Sequence, residues 1–293
     1  MRAAVLDVGS NTVRLLVAAQ SSRGLKTFHV EGVHLGLASD IERDGRISET
    51  KLAEAQELAS RYARVARDHR VARLEVVVTA PGRQSANAEA LVDALAAGSG
   101  AAVRVLSAEE EGSLAYAGAV GALASPPESV AVCDVGGGST QLLAGTSAGP
   151  VWMRPLDVGS LRLTARSLRS DPPTPQELDE AHMEVETAFG AIAPPLVATV
   201  LASGGSARAL RRLAGRKLGR RELEWILELA VSAPSERLAR EHGMQPARAR
   251  TLAAGTLILL AAQRRFGVPL RVVREGVREG AILALLSRAE AAA

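Results

Sequence analysis

The chain has 293 residues, enough for about two domains of ordinary size, each with its own hydrophobic core. Apolar residues make up 47% of the sequence but aromatic residues only 2%, so the core must be aliphatic, and the stacking platforms of single-strand and RNA binders are lacking. The net charge of +3 does not indicate a nucleic-acid-binding protein, and the single cysteine, Cys133, excludes an internal disulfide and a thiolate metal cluster.

The first half of the chain alternates strand and helix patterns. Hydrophobic periodicity predicts three strands, a long helix and two further strands, at 3–7, 13–19, 25–33, 48–68, 74–79 and 103–106. A short helix lies between the last two strands, and we expect Asn87 to cap it and Gly98 to end it. Ser107 and Glu110 have the spacing of a capping box, which predicts that another helix starts there.

The second half opens in the same way after the proline-containing segment 125–129, which is the best candidate for a domain boundary. Strands and helices are predicted at 130–134, 140–144, 151–157, 197–202, 247–266, 270–274 and 279–289. Thr174 and Glu177 form a second capping box, and Ser203 to Ser206 form a glycine turn before a helix. The pattern of a strand pair followed by helices occurs twice in the chain. The sequence therefore predicts an α/β protein with two similar domains, 1–125 and 126–293.

One hairpin motif occurs twice. The first copy is VLDVGSNTVRLL at residues 5–16, and the second is VCDVGGGSTQLL at residues 132–143. Each copy is a strand that ends in an aspartate, then a small polar turn, then a second strand. The turn exposes N–H groups and hydroxyls that can hold phosphate oxygens, and the aspartate can hold a divalent cation. One copy is typical of an ordinary turn, but two in register predict hairpins that hold a phosphate chain and its metal from both sides.

The remaining features concern location and charge. Asp7 interrupts the N-terminal apolar stretch, so we expect no signal peptide, and the weakly polar run 251–262 is too short to span a bilayer. These observations predict a soluble cytoplasmic protein. A basic run from Arg208 to Arg221 is either the solvated face of a helix or a surface that attracts a polyanion.

Five local patterns resemble those of the exopolyphosphatase / guanosine pentaphosphate phosphatase (Ppx/GppA) family, in the family's order. They are Asp7–Asn11, Thr79–Arg83 with Asn87, Leu106–Glu111, Asp134–Thr140 and Arg274–Gly280. This family belongs to the actin, sugar kinase and Hsp70 superfamily. The resemblance implies two actin-like (ribonuclease H-like) domains with a phosphate-binding cleft between them, in the family's short two-domain form.

The resemblance also implies a catalytic base and a catalytic arginine. Glu110 and Glu111 match the family's glutamate pair, whose second member deprotonates the attacking water. Acidic residues are also favoured at a helix start by capping and by the macrodipole. The capping box takes up Glu110, which leaves Glu109 or Glu111 as the base, and we select Glu111. Arg83 resembles the family arginine that neutralises phosphate charge.

Asp134 is expected to hold Mg²⁺, with Asp7 in support, although an aspartate is also an ordinary way to end a strand. The expected phosphate ligands are Ser10, Asn11, Gly136, Gly137, Gly138 and Ser139. Arg14 and Arg278 are further candidates, for which a solvated surface arginine is the alternative. The chain departs from the family pattern at Gly112-Ser113, where the family often continues Ala-Arg, and at Gln141, where it often has glutamate.

Together these features predict an Mg²⁺-dependent exopolyphosphatase, a phosphoric anhydride hydrolase that releases terminal orthophosphate from inorganic polyphosphate by water attack. One alternative keeps the chemistry but takes guanosine pentaphosphate. Others are an ATP-dependent binding protein like actin or Hsp70, and a small-molecule kinase. The expected partner is polyphosphate or another phosphoanhydride substrate. We expect no binding to nucleic acid or to a membrane. A homodimer is the oligomer that we consider.

Overall fold

The computed structural model describes residues 1–21 and 24–290, which form two compact units. The first unit comprises Met1–Ser125 together with the C-terminal segment from Glu275, and the second comprises Pro126–Arg274. The chain is mixed α/β, and each unit has its own sheet and its own core.

In chain order, the first half contains β1 (Arg2–Val8), β2 (Thr12–Ser21), β3 (Gly24–His34), α1 (Leu37–Asp44), α2 (Glu49–Asp68), β4 (Arg73–Val78), α3 (Ala80–Gln84), α4 (Ala88–Ser99), β5 (Val103–Val105) and α5 (Ala108–Gly121). The second half contains β6 (Val130–Val135), β7 (Thr140–Thr146), β8 (Gly149–Leu156), α6 (Ser160–Ser167), α7 (Pro175–Phe189), β9 (Val200–Ser203), α8 (Gly204–Ala214), β10 (Lys217–Leu218), α9 (Arg220–Val231), α10 (Ser235–Glu241), α11 (Pro246–Arg250), α12 (Leu252–Phe266), β11 (Leu270–Val272) and α13 (Val277–Glu290).

The sheet of the first unit has the strand order β3-β2-β1-β4-β5. Strand β1 pairs antiparallel with β2 and parallel with β4. Its residues alternate between two cores: Leu6 and Val8 pack on the face that α2 and α4 cover, whereas Ala3 and Val5 pack on the face that α13 covers. Burial on both faces explains why β1 is almost continuously apolar.

The sheet of the second unit has the strand order β10-β11-β9-β6-β7-β8. Its core contains Cys133 and Val135 from β6 and nearly every apolar residue of α12. Because α12 is apolar all round, it lies inside the unit rather than on its surface. None of the helices in the described part of the chain is long and apolar enough to cross a bilayer.

Helix α13 lies in a different unit from the one that chain order suggests. The sequence-based division placed 126–293 in one domain, whereas α13 packs against α5, β1 and β2 of the first unit. Glycines permit this close approach: a Cβ added to Gly118 would lie 2.1 Å from the carbonyl oxygen of Gly276, and one added to Gly280 would lie 1.9 Å from that of Leu114. The glycines of the terminal motif therefore have a packing role.

Both predicted capping boxes are present, at the starts of α5 and α7. The predicted helix 247–266 is instead two helices, because α11 ends at Arg250 and α12 begins at Leu252. Asn87 stands at the N-cap of α4, but its side chain binds the backbone of Ile47 and not the helix. Gly98 lies inside α4, where a Cβ would meet the carbonyl oxygen of Gln56 at 2.2 Å, so it serves packing against α2 and not helix termination.

Candidate active site

The two copies of the sequence motif form hairpins with the same register. Asp7 lies directly opposite Arg14 in the β1–β2 pair, and Asp134 lies directly opposite Gln141 in the β6–β7 pair. Side chains of directly opposite residues share a face of the sheet. The predicted repetition of the hairpin is confirmed, with one hairpin in each unit.

The first turn is closed by a hydrogen bond from Gly9 N–H to the carbonyl oxygen of Thr12, at 3.1 Å. The carbonyls of Ser10 and Asn11 accept the N–H groups of residues 35, 36 and 38, and both side chains are buried. The Oδ1 atom of Asn11 is buried and accepts no hydrogen bond from any residue that the structure describes. A buried acceptor without a donor is costly, which points to a ligand or a water at this turn.

Arg14 is placed by a glycine on the neighbouring strand. Gly32 lies opposite Arg14 in the β2–β3 pair, and a Cβ added to Gly32 would be 2.9 Å from Arg14 Cγ. The aliphatic stem of Arg14 therefore crosses the space that Gly32 leaves, and the residue is only partly exposed.

Glu111 and Arg83 form a buried ion pair in the first unit. Glu111 is 6% exposed, and Arg83 Nη2 donates to its Oε2 at 2.7 Å, while Arg83 Nη1 donates to the carbonyl oxygen of Leu106 at 2.7 Å. Arg83 reaches this place because Gly82 allows α3 to pack on the strand ends: a Cβ there would lie 2.7 Å from Val105 Cγ1. The arginine thus holds the carboxylate in one orientation.

The three glutamates at the start of α5 differ in their surroundings. Glu110 completes the capping box, with its Oε2 accepting the N–H of Ser107 at 2.8 Å. Glu109 is exposed and makes no side-chain hydrogen bond within the described residues. Between the two candidates that the sequence left open, only Glu111 is buried beside an arginine.

Arg278 lies at the start of α13 and is only 8% exposed. Its Nη2 is 3.5 Å from Oε1 of Glu279, whose other oxygen accepts the N–H of Gly276 at 2.8 Å. The alternative of a solvated surface arginine is therefore wrong for Arg278.

The turn of the second hairpin is held by the start of α6. Gly136 N–H donates to the carbonyl oxygen of Ser139 at 3.0 Å, and the backbone N–H groups of 160–162 bind the carbonyls of Gly136 and Gly137. A Cβ added to Gly159 would lie 2.4 Å from the carbonyl oxygen of Gly137, so α6 starts in contact with the turn. These hydrogen bonds occupy the carbonyl oxygens of the turn, which would otherwise repel a phosphate. Gly138 and Ser139 are buried within the same turn.

Asp134 belongs to a row of polar side chains on one face of the second sheet. Ser203 Oγ donates to Asp134 Oδ1 at 2.6 Å, and Gln141 Nε2 donates to Ser139 Oγ at 3.0 Å. Asp134 is 5% exposed and Gln141 is fully buried, yet Gln141 Oε1 has no hydrogen-bond donor among the described residues. The carboxylate of Asp134 therefore belongs to the residue directly opposite the one that carries this buried oxygen.

Asp134 and Gln141 carry oxygen donors of the kind that a hard divalent cation takes. The described part of the chain has no group of three or more His, Cys, Asp or Glu side chains that could hold a metal. Mg²⁺ prefers oxygen ligands and keeps several waters, so it needs few protein groups. The carboxylate of Asp134 and Oε1 of the opposite Gln141, which has no hydrogen-bond donor among the described residues, are oxygen atoms of this kind.

The sequence identified the Ser203–Ser206 turn but missed an arginine that lies over it. Gly204, at φ +88°, opens α8, and a Cβ added to Gly205 would lie 2.5 Å from Arg248 Nη1. The guanidinium of Arg248 makes no hydrogen bond or ion pair with any residue in the described ranges. Burial, aided by the charge of Arg208, lowers the pKa of Arg248 to about 10. A partly buried arginine without a carboxylate, at a helix N-terminus, is an arrangement that suits an anion.

The chain is similar to known proteins of one phosphatase family. Residues 16–289 match the model of the Ppx/GppA phosphatase family. Exopolyphosphatase 2 of Mycobacterium tuberculosis is 33% identical over 226 residues, which cover 73% of this chain and 70% of the relative. Exopolyphosphatase 1 of the same organism is 27% identical over 304 residues, covering 97% and 88%. The crystal structure of the Aquifex aeolicus family member has a TM-score of 0.84 at 27% identity, covering 99% of this chain and 98% of that one.

Proposed function

The chain belongs to the Ppx/GppA phosphatase family, and on this premise we propose that it is an Mg²⁺-dependent exopolyphosphatase. In the proposed reaction, water attacks the terminal phosphorus of inorganic polyphosphate. A new P–O bond forms, the terminal P–O–P anhydride bond breaks, and the products are orthophosphate and a chain that is one phosphate shorter. The two exopolyphosphatase relatives support this substrate class.

The observation that carries the proposal is the buried ion pair of Glu111 with Arg83. The guanidinium donates to the carboxylate at 2.7 Å, and a carboxylate is a group that can accept a proton from water. Since Arg83 also binds the carbonyl of Leu106, it fixes the direction of the carboxylate. We assign Glu111 as the base and Arg83 as the residue that orients it and offsets phosphate charge.

The two hairpins supply the phosphate ligands. Ser10 and Asn11 provide them in the first unit, and the turn Gly136–Ser139 provides them in the second, because small residues leave backbone N–H groups accessible. Arg14 and Arg278 add positive charge in the first unit. Each hairpin also contributes an aspartate, Asp7 or Asp134, as a cation ligand.

When bound, Mg²⁺ supplies positive charge that neutralises the phosphate oxygens. Asp134 is its main protein ligand in this proposal, with Asp7 in support. Gln141 takes the place of a second carboxylate and offers its Oε1, which has no donor among the described residues. A neutral ligand in this place makes the site depend more on the phosphates of the substrate.

We add Arg248 to the proposed ligands, as a contact for a phosphate beyond the one that is released. Its guanidinium lies over Gly205 and lacks an anionic partner among the described residues. Because none of the proposed site residues is aromatic, a guanine base has no stacking surface on them. This favours polyphosphate over guanosine pentaphosphate, which is the second candidate because the matched family is the Ppx/GppA phosphatase family.

The test is phosphate release from polyphosphates of several lengths, guanosine pentaphosphate and ATP, measured in parallel with added Mg²⁺. We expect polyphosphate to give the highest kcat/KM. Preference for guanosine pentaphosphate would select the second candidate, and preference for ATP would contradict both. We further propose that the protein is cytoplasmic and forms a homodimer. Analytical ultracentrifugation measures the oligomeric state.

A further inference from the structure

A chain of ion pairs lies beneath the start of α5, which carries Glu111. Glu75 is 9% exposed and accepts hydrogen bonds from Arg104 Nε at 3.0 Å and from Arg288 Nη2 at 2.8 Å. Arg104 Nη1 also donates to Glu110 Oε1 at 2.7 Å. Strands β4 and β5 and helix α13 are thereby connected to the first turn of α5.

The location of Glu75 follows from strand alternation. Val77 faces the core that α13 covers, and Arg104 is the residue opposite Val77 in the β4–β5 pair. Glu75, two residues before Val77, lies on the same face. A carboxylate that is almost removed from water needs partners, and two arginines from different elements supply them.

Glu110 is held by both of its carboxylate oxygens. Oε2 accepts the N–H of Ser107 in the capping box, and Oε1 accepts Arg104. A capping box alone leaves the second oxygen to water. The additional contact with Arg104 ties the first turn of α5 to the sheet, so a shift of this turn would break the chain of ion pairs.

We propose that Glu75 is a positioning residue for the phosphatase reaction. Acting through Arg104 and Glu110, it fixes the first turn of α5 and with it the carboxylate of Glu111. This inference rests on the proposed function, in which Glu111 accepts the proton of the attacking water. A misplacement of about 1 Å in a reacting group can lower a rate by roughly 100-fold, so a small shift is enough.

The first test compares kcat with KM. Glu75→Gln should lower kcat by roughly 10-fold or more while KM for tripolyphosphate stays within about twofold, because no proposed phosphate ligand is changed. Arg104→Gln should have the same effect, and Arg104→Lys should recover part of kcat. The control is Glu186→Gln in the second unit, where Arg264 and Arg265 pair with one carboxylate, and its kcat should be unchanged.

The second test uses the base itself. In a Glu111→Gln background, Glu75→Gln should cause no further loss of the residual rate, since there is no base left to position. An additive loss, or a rise in KM equal to the fall in kcat, would overturn the inference. Unchanged kcat in Glu75→Gln, while wild type releases phosphate, would overturn it too.

A third measurement does not depend on activity. Amide hydrogen exchange in residues 107–111 should be faster in Glu75→Gln than in wild type, with no change in Glu186→Gln. Equal exchange in all three proteins would refute the positioning role. If wild type releases no phosphate from any polyphosphate, the proposed function fails, and the exchange result still decides whether Glu75 orders this turn.

Discussion

At the scale of single residues, the adjacent glutamates Glu110 and Glu111 have different roles. Glu110 caps α5 and is exposed to solvent, whereas Glu111 is buried against Arg83. Helix periodicity separates them, because neighbouring residues on a helix point about 100° apart. Only one of the pair can therefore face Arg83.

Glu111→Gln should lower turnover by roughly 10²–10⁴-fold, the usual contribution of a positioned base. Polyphosphate binding should survive, because the amide has the same shape and removes no phosphate ligand. Initial rates and equilibrium binding measure the two effects.

The control is Glu109→Gln, an exposed side chain that makes no hydrogen bond within the described residues, and this variant should keep most of the activity. Equal losses of activity in both variants, or full activity in Glu111→Gln, would contradict the assignment of the base.

Gln141 offers a prediction about metal affinity. Gln141→Glu should lower the Mg²⁺ concentration for half-maximal activity, because it places a second carboxylate opposite Asp134. Asp134→Asn should raise that concentration sharply or abolish activity. Titrations of activity with Mg²⁺ measure both. A strong defect in Asp134→Asn with an unchanged profile in Gln141→Glu would show that position 141 is not a metal ligand.

Arg248 should contribute to substrate affinity. Arg248→Gln removes a charged donor, and a hydrogen bond to a charged group is worth about 1.5–3 kcal/mol, so KM for polyphosphate should rise roughly 10–100-fold. The control is Arg237→Gln, since Arg237 pairs with Glu241 on the surface of the same unit. Steady-state kinetics decide: an unchanged KM in Arg248→Gln would remove this residue from the site.

At the scale of elements, glycines set the distance between α5 and α13. Gly118→Ala should destabilise the protein by about 1–3 kcal/mol. The added Cβ would lie 2.1 Å from the carbonyl oxygen of Gly276, which can move away only if the backbone shifts. Urea unfolding measures the loss.

Gly121, in the same helix, is the matched control. A Cβ there would meet only the flexible Leu283 side chain, at 3.2 Å, so Gly121→Ala should be neutral or stabilising by up to about 1 kcal/mol. Equal effects at both positions would mean that the close helix approach does not limit stability.

Elements defined by local signals could be predicted from the sequence. The capping boxes at Ser107 and Thr174 depend on residues three positions apart, and both form as expected. The packing role of Gly98 depends on a neighbouring helix, and the break at Thr251 lies within one continuous apolar pattern, so periodicity indicated neither. Short elements such as α3 and β10 lack enough residues to display a period.

The candidate site could be proposed from the sequence in part, and its residues stay a prediction. The turns and acidic residues could be identified because the hairpin motif repeats and the other motifs are local in sequence. Two contacts could not be predicted, namely that of Arg83 with Glu111 and that of Arg248 with Gly205. Each contact joins segments that are distant in the chain. Long-range packing determines these contacts, and with one sequence there is no signal for them.

At the scale of the whole molecule, the basic run is not one helical face. It extends over α8, β10 and the start of α9, and Arg212, Arg216 and Lys217 are exposed. Affinity should therefore rise with polyphosphate length and fall as salt screens the attraction. Competition binding at low and moderate salt measures this. Tight ATP binding without measurable affinity for polyphosphate would favour the ATP-dependent binding protein instead.

The central claim is that water, activated by Glu111, attacks the terminal phosphorus of polyphosphate. Hydrolysis in H₂¹⁸O tests it most directly. Wild type should release orthophosphate that carries one labelled oxygen, leave the shortened chain unlabelled, and do so far faster than Glu111→Gln. Label in the remaining chain, or equal release by Glu111→Gln, would contradict the account.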